Sequence, residues 1–223
     1  MDNPLVITSS PHLHCGMTTR GVMLDVLIAL SPASVASILL FGWRSAAVII
    51  VCLASCLAAE YLSCIVLKRP LSVGDLSAAV TGLLLALNLP ATIPLWQAAI
   101  GGAAAIVVAK QMFGGLGQNF VNPALFGRIV LLASFPESMN KWMLPLQGQG
   151  GTDVITSATP LAMISQGAEV EYSLKELFVG IMPGSLGETC VLALLLGGIY
   201  LVTRRVISPT IPVVYIATVF IMS

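Results

Sequence analysis

The sequence predicts an all-α fold, a polytopic helical bundle integral to a membrane, with some of its helices discontinuous. Three observations carry that reading. Of 223 residues, 57% are hydrophobic and only 9% are charged, whereas a soluble domain holds about 25% charged residues. Apolar runs recur along the chain near the roughly 20 residues that cross a hydrocarbon core. Two further runs are short and are interrupted by proline or glycine, as are the broken helices that form binding sites in inverted-repeat transporters, so half of such an architecture is expected.

The first 20 residues, "MDNPLVITSSPHLHCGMTTR", form a polar tail without the basic-then-apolar order of a cleaved signal peptide. His12 and His14 lie in it as solvated residues with no ligating neighbours. The membrane region predicted for 21–135 begins with a span from about 21 to 42, ending at the interfacial pair Trp43 and Arg44. A second span, about 45 to 67, is closed by Lys68 and Arg69. A third, about 76 to 89, is short and stopped by Pro90. A fourth, about 94 to 112, carries Gly101, Gly102 and Ala103, small residues that let a neighbouring helix approach closely. "FGGLGQNFVNP" then breaks the pattern before a short helix at about 124 to 135. Residues 136–187 are the one extended polar region, and 188–223 return to membrane helices. The last run is still apolar at Ser223, which reads as a truncated end.

Formal net charge is zero, and nothing suggests a nucleic-acid partner. The five cysteines form no CxxC pair; Cys52, Cys56 and Cys64 fall in one apolar run as small buried hydrophobes, and no metal site is expected. With the N-terminus cytoplasmic, Arg20, Lys68, Arg69, Lys110, Arg204 and Arg205 lie inside, and Arg44, Lys141 and Lys175 outside. That bias sets the orientation and puts 136–187 on the outer face.

Three carboxylates stand out. Asp25 and Glu60 lie within apolar runs, where a charge is costly and either pairs structurally or serves a cation path. Asp75 precedes a short helix, where a carboxylate caps N–H groups. All three are candidates for an ion pathway. Asn119 and Asn122, three apart in the broken segment, offer two amides at membrane depth. Asn122 followed by Pro123 also reads as a helix N-cap.

In the polar region, "GTDVITSATPLA" collects an acid, several hydroxyls and a proline. By residue type alone it is a turn leading into a helix, with Thr159 and Pro160 at its start. It is also similar to the acceptor pattern of flavin transferases: Asp153, two variable positions, Thr156, Ser157, then Ala158 and Thr159. The resemblance implies FMN joined by a phosphoester to Thr159, with Asp153, Thr156, Ser157 and Ala158 as the attachment motif. "SPHLHCGMTTRGVMLDVLIALSP", "GDLSAAVTGLLLALNLP", "FGGLGQNFVNPALFGR" and "SATPLA" follow one another in an order that resembles the D-subunit family of the Rnf complex, the ferredoxin:NAD⁺ oxidoreductase of bacterial membranes. Its counterpart is the B subunit of the sodium-pumping NADH:quinone reductase, and the resemblance covers essentially the whole chain.

The resemblance implies a flavin-carrying subunit of an ion-translocating oxidoreductase in the bacterial inner membrane. Covalent FMN, a riboflavin against Asn119 and Asn122, coupling to Na⁺ or H⁺, the other subunits of the complex and a flavin transferase follow from it. The rival readings are a secondary transporter or channel built on the broken helices, and a structural membrane scaffold. Neither would carry flavin.

Overall fold

The computed structural model describes residues 18–69, 71–145, 159–165 and 172–222. Among these residues the regular elements are helices. The long helices are α1 (Thr19–Phe41), α2 (Trp43–Val66), α3 (Ser77–Leu87), α4 (Leu95–Ala104, continued as a π-helix over Ala105–Gln111) and α5 (Pro123–Ser134). Short helices α6 (Pro136–Met139), α7 (Pro160–Ser165) and α8 (Leu174–Val179) precede α9 (Val191–Thr203) and α10 (Thr210–Met222). The sequence locates α1 to α5 to within a few residues and places α9 and α10 within 188–223; α6, α7 and α8 lie in the region that reads as polar connection.

Among the described residues two helices, α1 and α2, are long and apolar enough, by length and composition, to cross a bilayer by themselves. Each solves a local problem. Pro32 lacks the N–H that Ile28 O would accept, and Ser31 Oγ donates to that carbonyl instead at 2.7 Å, the substitution by which membrane helices tolerate proline. Gly42, at φ 75°, turns the chain back from α1 into α2, and Ser45 Oγ closes the corner by donating to Gly42 O at 2.7 Å.

Small residues set the packing. A Cβ at Gly82 on α3 would stand 2.9 Å from Cys52 O on α2, and one at Gly127 on α5 would stand 2.7 Å from Gly101 O on α4. Gly197 on α9 lies against the backbone of Ala29 on α1 just as tightly. Close backbone approach of this kind replaces the hydrophobic drive that lipid removes. The outward faces are apolar, with Leu39, Val66, Ile129 and Leu196 exposed, while Ser45, Glu60, Gln97, Lys110 and Gln111 are buried. That polarity suits a bundle surrounded by hydrocarbon.

Two ends of the bundle can be followed through their hydrogen bonds. At one, Arg44 Nη2 donates to Thr92 O (3.4 Å), and Thr92 Oγ1 donates to Lys141 O (2.6 Å). Leu186 N and Gly187 N donate to Leu89 O and Leu87 O at the same end. The connection from α5 to α9, which contains Thr159, therefore leaves and returns at the Arg44 end. Arg20, Lys68, Arg69 and Arg204 belong to the opposite end. Lys110 lies near that end too, beside Gln111, whose carbonyl accepts from Arg69 Nη1 at 2.9 Å, but it is buried at 1% exposure; it therefore leaves the tally of loop cations, and the bias becomes five to three.

Candidate functional site

The bundle's polar interior is assembled where α2, α3 and α4 meet. Glu60, near the end of α2, is fully buried, and Lys110 Nζ donates to its Oε1 at 2.6 Å. Ser72 Oγ (2.5 Å) and Gln111 Nε2 (3.3 Å) donate to the same oxygen, while Glu60 Oε2 has no partner. Lys110 Nζ also donates to Ser77 Oγ (2.5 Å), and Ser77 Oγ donates in turn to Asp75 Oδ1 (2.5 Å). A chain of charge-assisted bonds thus runs from Glu60 through Lys110 and Ser77 to Asp75.

Backbone irregularity makes this convergence possible. Lys110 and Gln111 are neighbours in sequence, yet both are buried against Glu60. They lie in the π-helix, whose bonds reach five residues: Met112 N to Val107 O and Gly115 N to Lys110 O, both 3.0 Å. The wider turn lowers the angle between successive side chains, and such turns recur at functional sites. On the other side, Leu76 is held at φ 65°, a left-handed conformation that costs a leucine about 1–2 kcal/mol. It lets Asp75 Oδ1 accept from Ser77 N at 2.8 Å, so Asp75 caps α3 as its position suggests.

A cavity of about 470 Å³ adjoins this network. Its walls include Ser77, Thr81 and Lys110 on one side and Asn119, Phe120 and Asn122 on the other. The Asn119 side comes from the broken segment, where Gly114, Gly115 and Gly117 all adopt positive φ. This irregular backbone lines the cavity. Asn122 Oδ1 accepts from Ala124 N at 3.0 Å, so it is the N-cap of α5. Asn119 Oδ1 is different: it is buried and has no partner. A buried amide oxygen without a donor is rare in a finished core and points to a ligand. Phe113 and Phe120, with ring centroids 4.5 Å apart, belong to the same segment.

Asp25 lies elsewhere. Tyr200 Oη donates to its Oδ1 at 2.9 Å, and Arg204 grips it with Nε at 3.2 Å and Nη2 at 3.4 Å. The pair ties α1 to α9, and among the described residues no hydrogen bond links it to the Glu60 network. Both intramembrane carboxylates are therefore paired. Cys52, Cys56 and Cys64 are buried and unbridged, in keeping with their reading as small hydrophobes.

Thr159 immediately precedes α7, with Pro160 at the first helical position and Met163 N donating to Thr159 O at 3.0 Å. That is the turn-into-helix expected of the segment. Asp153, Thr156, Ser157 and Ala158, with His12 and His14, lie outside the described residues.

A family model described as "NQR2, RnfD, RnfE family" matches residues 6–223, nearly the entire chain and every residue of the sites above. The chain belongs to the NQR2, RnfD, RnfE family. Among its relatives is the D subunit of the Na⁺-translocating ferredoxin:NAD⁺ oxidoreductase complex of Acetobacterium woodii, 43% identical over 98% of this chain and 69% of that protein. The D subunit of the proton-translocating ferredoxin:NAD⁺ oxidoreductase complex of Clostridium ljungdahlii is 39% identical over 99% and 69%. The D subunit of the ion-translocating oxidoreductase complex of Halorhodospira halophila is 34% identical over 97% and 69%. In this member of the NQR2, RnfD, RnfE family, the structure joins Asn119 and Asn122 around one cavity and Glu60 and Asp75 in one network, and leaves Asp25 apart.

Lys110 is not legible as a site residue from the sequence. It counts as a loop cation there because it ends an apolar run. The signal is nonetheless present: a lysine in "AIVVAKQM" is as costly in hydrocarbon as Glu60, and two such residues are natural partners.

Proposed function

We propose that this chain is the flavin-carrying membrane subunit of an ion-translocating ferredoxin:NAD⁺ oxidoreductase complex. The observation that carries the proposal is similarity to the D subunits of such complexes across nearly all of this chain, at 43% identity over 98% of it and 69% of the relative. Thr159 is the attachment residue for FMN, held through a phosphoester and recognised by a flavin transferase through Asp153, Thr156, Ser157 and Ala158. Asn119 and Asn122 face a second, non-covalent flavin of the riboflavin type. The bound flavins supply the electron chemistry, and the protein supplies position and electrostatics.

The cavity fits that second role on physical grounds. Its volume lies in the range of small-molecule sites, roughly 300–1,000 Å³. Asn119 Oδ1 supplies an acceptor for a ring N–H that would otherwise stay buried and unbonded. Phe120 supplies an aromatic wall. Asn122 is committed to its cap through Oδ1, so its amide N–H₂ is the part available to a ligand.

The chain operates among the other subunits of the complex in the bilayer of a bacterial inner membrane. The N-terminus is cytoplasmic and Thr159 is on the outer face, an orientation supported by the five-to-three distribution of loop cations. Electron flow is coupled to Na⁺ or H⁺ movement. Relatives named for each ion match over nearly the whole chain, at 43% and 39% identity.

The test is flavin content. The complex purified from its host is denatured, and released and protein-bound flavin are measured separately. Asn119→Leu combined with Asn122→Leu is expected to lose the released riboflavin and keep the bound flavin. Unchanged riboflavin in the assembled double variant would place that flavin elsewhere, and absence of both from the wild type would favour a flavin-free transporter.

A further inference from the structure

Lys110 is the single charged residue in the described lining of the cavity, and its ammonium group is also the partner of Glu60. Two of its three N–H donors are taken, by Glu60 Oε1 and Ser77 Oγ. Glu60 meanwhile keeps one oxygen, Oε2, buried and unbonded. The carboxylate and the cavity thus share one cation, in a place where little water screens either interaction.

We propose that Lys110 is a shared counter-ion, divided between Glu60 and the reduced state of a flavin in the Asn119 cavity. This rests on the flavin reading above, which assigned Lys110 no role. Reduction moves one electron from a one-electron carrier of the complex, which is oxidised, onto the ring, which is reduced. No bond to the protein forms or breaks, and Lys110 keeps its proton. Negative charge added beside Lys110 is stabilised by the ammonium, and the ammonium's hold on Glu60 weakens to the same extent, since coupling between two sites is reciprocal. Glu60 and the flavin therefore sense each other's charge without touching. Lys110 is a positioning residue for Glu60 and an electrostatic one for the flavin.

The arrangement gives two variants opposite signs. Glu60→Gln removes the competing carboxylate and keeps the cation, so the reduced flavin gains. Glu60→Gln with Lys110→Met removes both charges together, avoids leaving either one buried alone, and makes the reduced flavin lose. The experiment is an anaerobic redox titration of the non-covalent flavin, followed by absorbance, in the complex purified from its host. A tenfold change in relative stability of reduced and oxidised flavin corresponds to about 59 mV for a one-electron couple. The midpoint is expected to rise by about that much in Glu60→Gln and to fall by about that much in the double variant.

A merely structural role for the ion pair predicts shifts of the same sign in both variants or none, and either result overturns the inference while leaving the flavin reading intact. If the double variant does not assemble, the sign in Glu60→Gln decides by itself, because a fall or no change contradicts a shared cation. A wild-type complex with no non-covalent flavin overturns the flavin reading and this inference together.

Discussion

Asp25 and Glu60 are both carboxylates in apolar helices, and both have a cationic partner, but the two pairs stand in different surroundings. Arg204 is 58% exposed and reaches Asp25 from the end of α9, at the edge of the bundle. Lys110 is 1% exposed and meets Glu60 where α2, α3 and α4 converge. The first pair fastens a peripheral helix and can exchange its bonds for water. The second is shut away from solvent, so each charge depends on the other. A carboxylate in a membrane run therefore says little until the exposure of its partner is known.

The comparison is broken most directly at Lys110. Lys110→Met leaves Glu60 charged, buried and alone, and removing one partner of a buried pair costs about 3–5 kcal/mol. The expected outcome in a thermal unfolding assay of the detergent-solubilised complex is a large loss of stability, with much of it restored by adding Glu60→Gln. Equal instability in single and double variants would mean that the charges are not coupled.

Helix packing comes next. Gly82→Leu pushes a side chain into the α2 backbone at Cys52 O, and overpacking of this kind costs about 1–3 kcal/mol. Gly74→Ala, at a glycine with nothing within 4 Å of an added Cβ, serves as its control and is expected to leave unfolding unchanged.

Arg204→Ala is expected to act locally. The end of α9 should loosen from α1, so a cysteine placed at Tyr200 or Thr203 would label faster, while flavin content and global unfolding stay near wild type. A loss as great as that of Lys110→Met would erase the distinction between the two pairs.

The smallest effect lies outside the membrane, at Glu137, whose carboxyl is held below its usual range by the hydrogen bond from Lys141 Nζ at 2.6 Å. Its contribution is present above the ordinary carboxylate range and fades as pH falls through the lowered value. Glu137→Gln should remove that slight acid dependence of unfolding and nothing else, in scans between neutral and strongly acid pH.

Much of this is legible in the sequence, because apolar length and proline or glycine breaks are local. The limits of α1 to α5 and the cap at Asn122 follow from Gly42, Pro90, "FGGLG" and Asn-Pro. The cap at Asp75 is legible for the same reason. The π-helix is not: its reach of five residues depends on Lys110 and Gln111 both finding Glu60, 50 and 51 positions away. The same distance hides the partner of Asp25, since Arg204 lies 179 residues on. The unbonded Asn119 oxygen can be read only from its surroundings, because an amide in a loop is ordinarily solvated.

The central claim, that Thr159 carries FMN through a phosphoester, is tested by peptide mapping of the chain purified in its complex from a host that supplies the transferase, beside the Thr159→Ala variant. The account predicts one flavinylated peptide, with the modification on Thr159, and in-gel fluorescence that vanishes in Thr159→Ala but is only reduced in Thr156→Ala and Ser157→Ala. Because loss of an N-cap costs only about 1 kcal/mol, Thr159→Ala should still assemble. Covalent flavin retained in assembled Thr159→Ala, or mapped to another residue in the wild type, would contradict it.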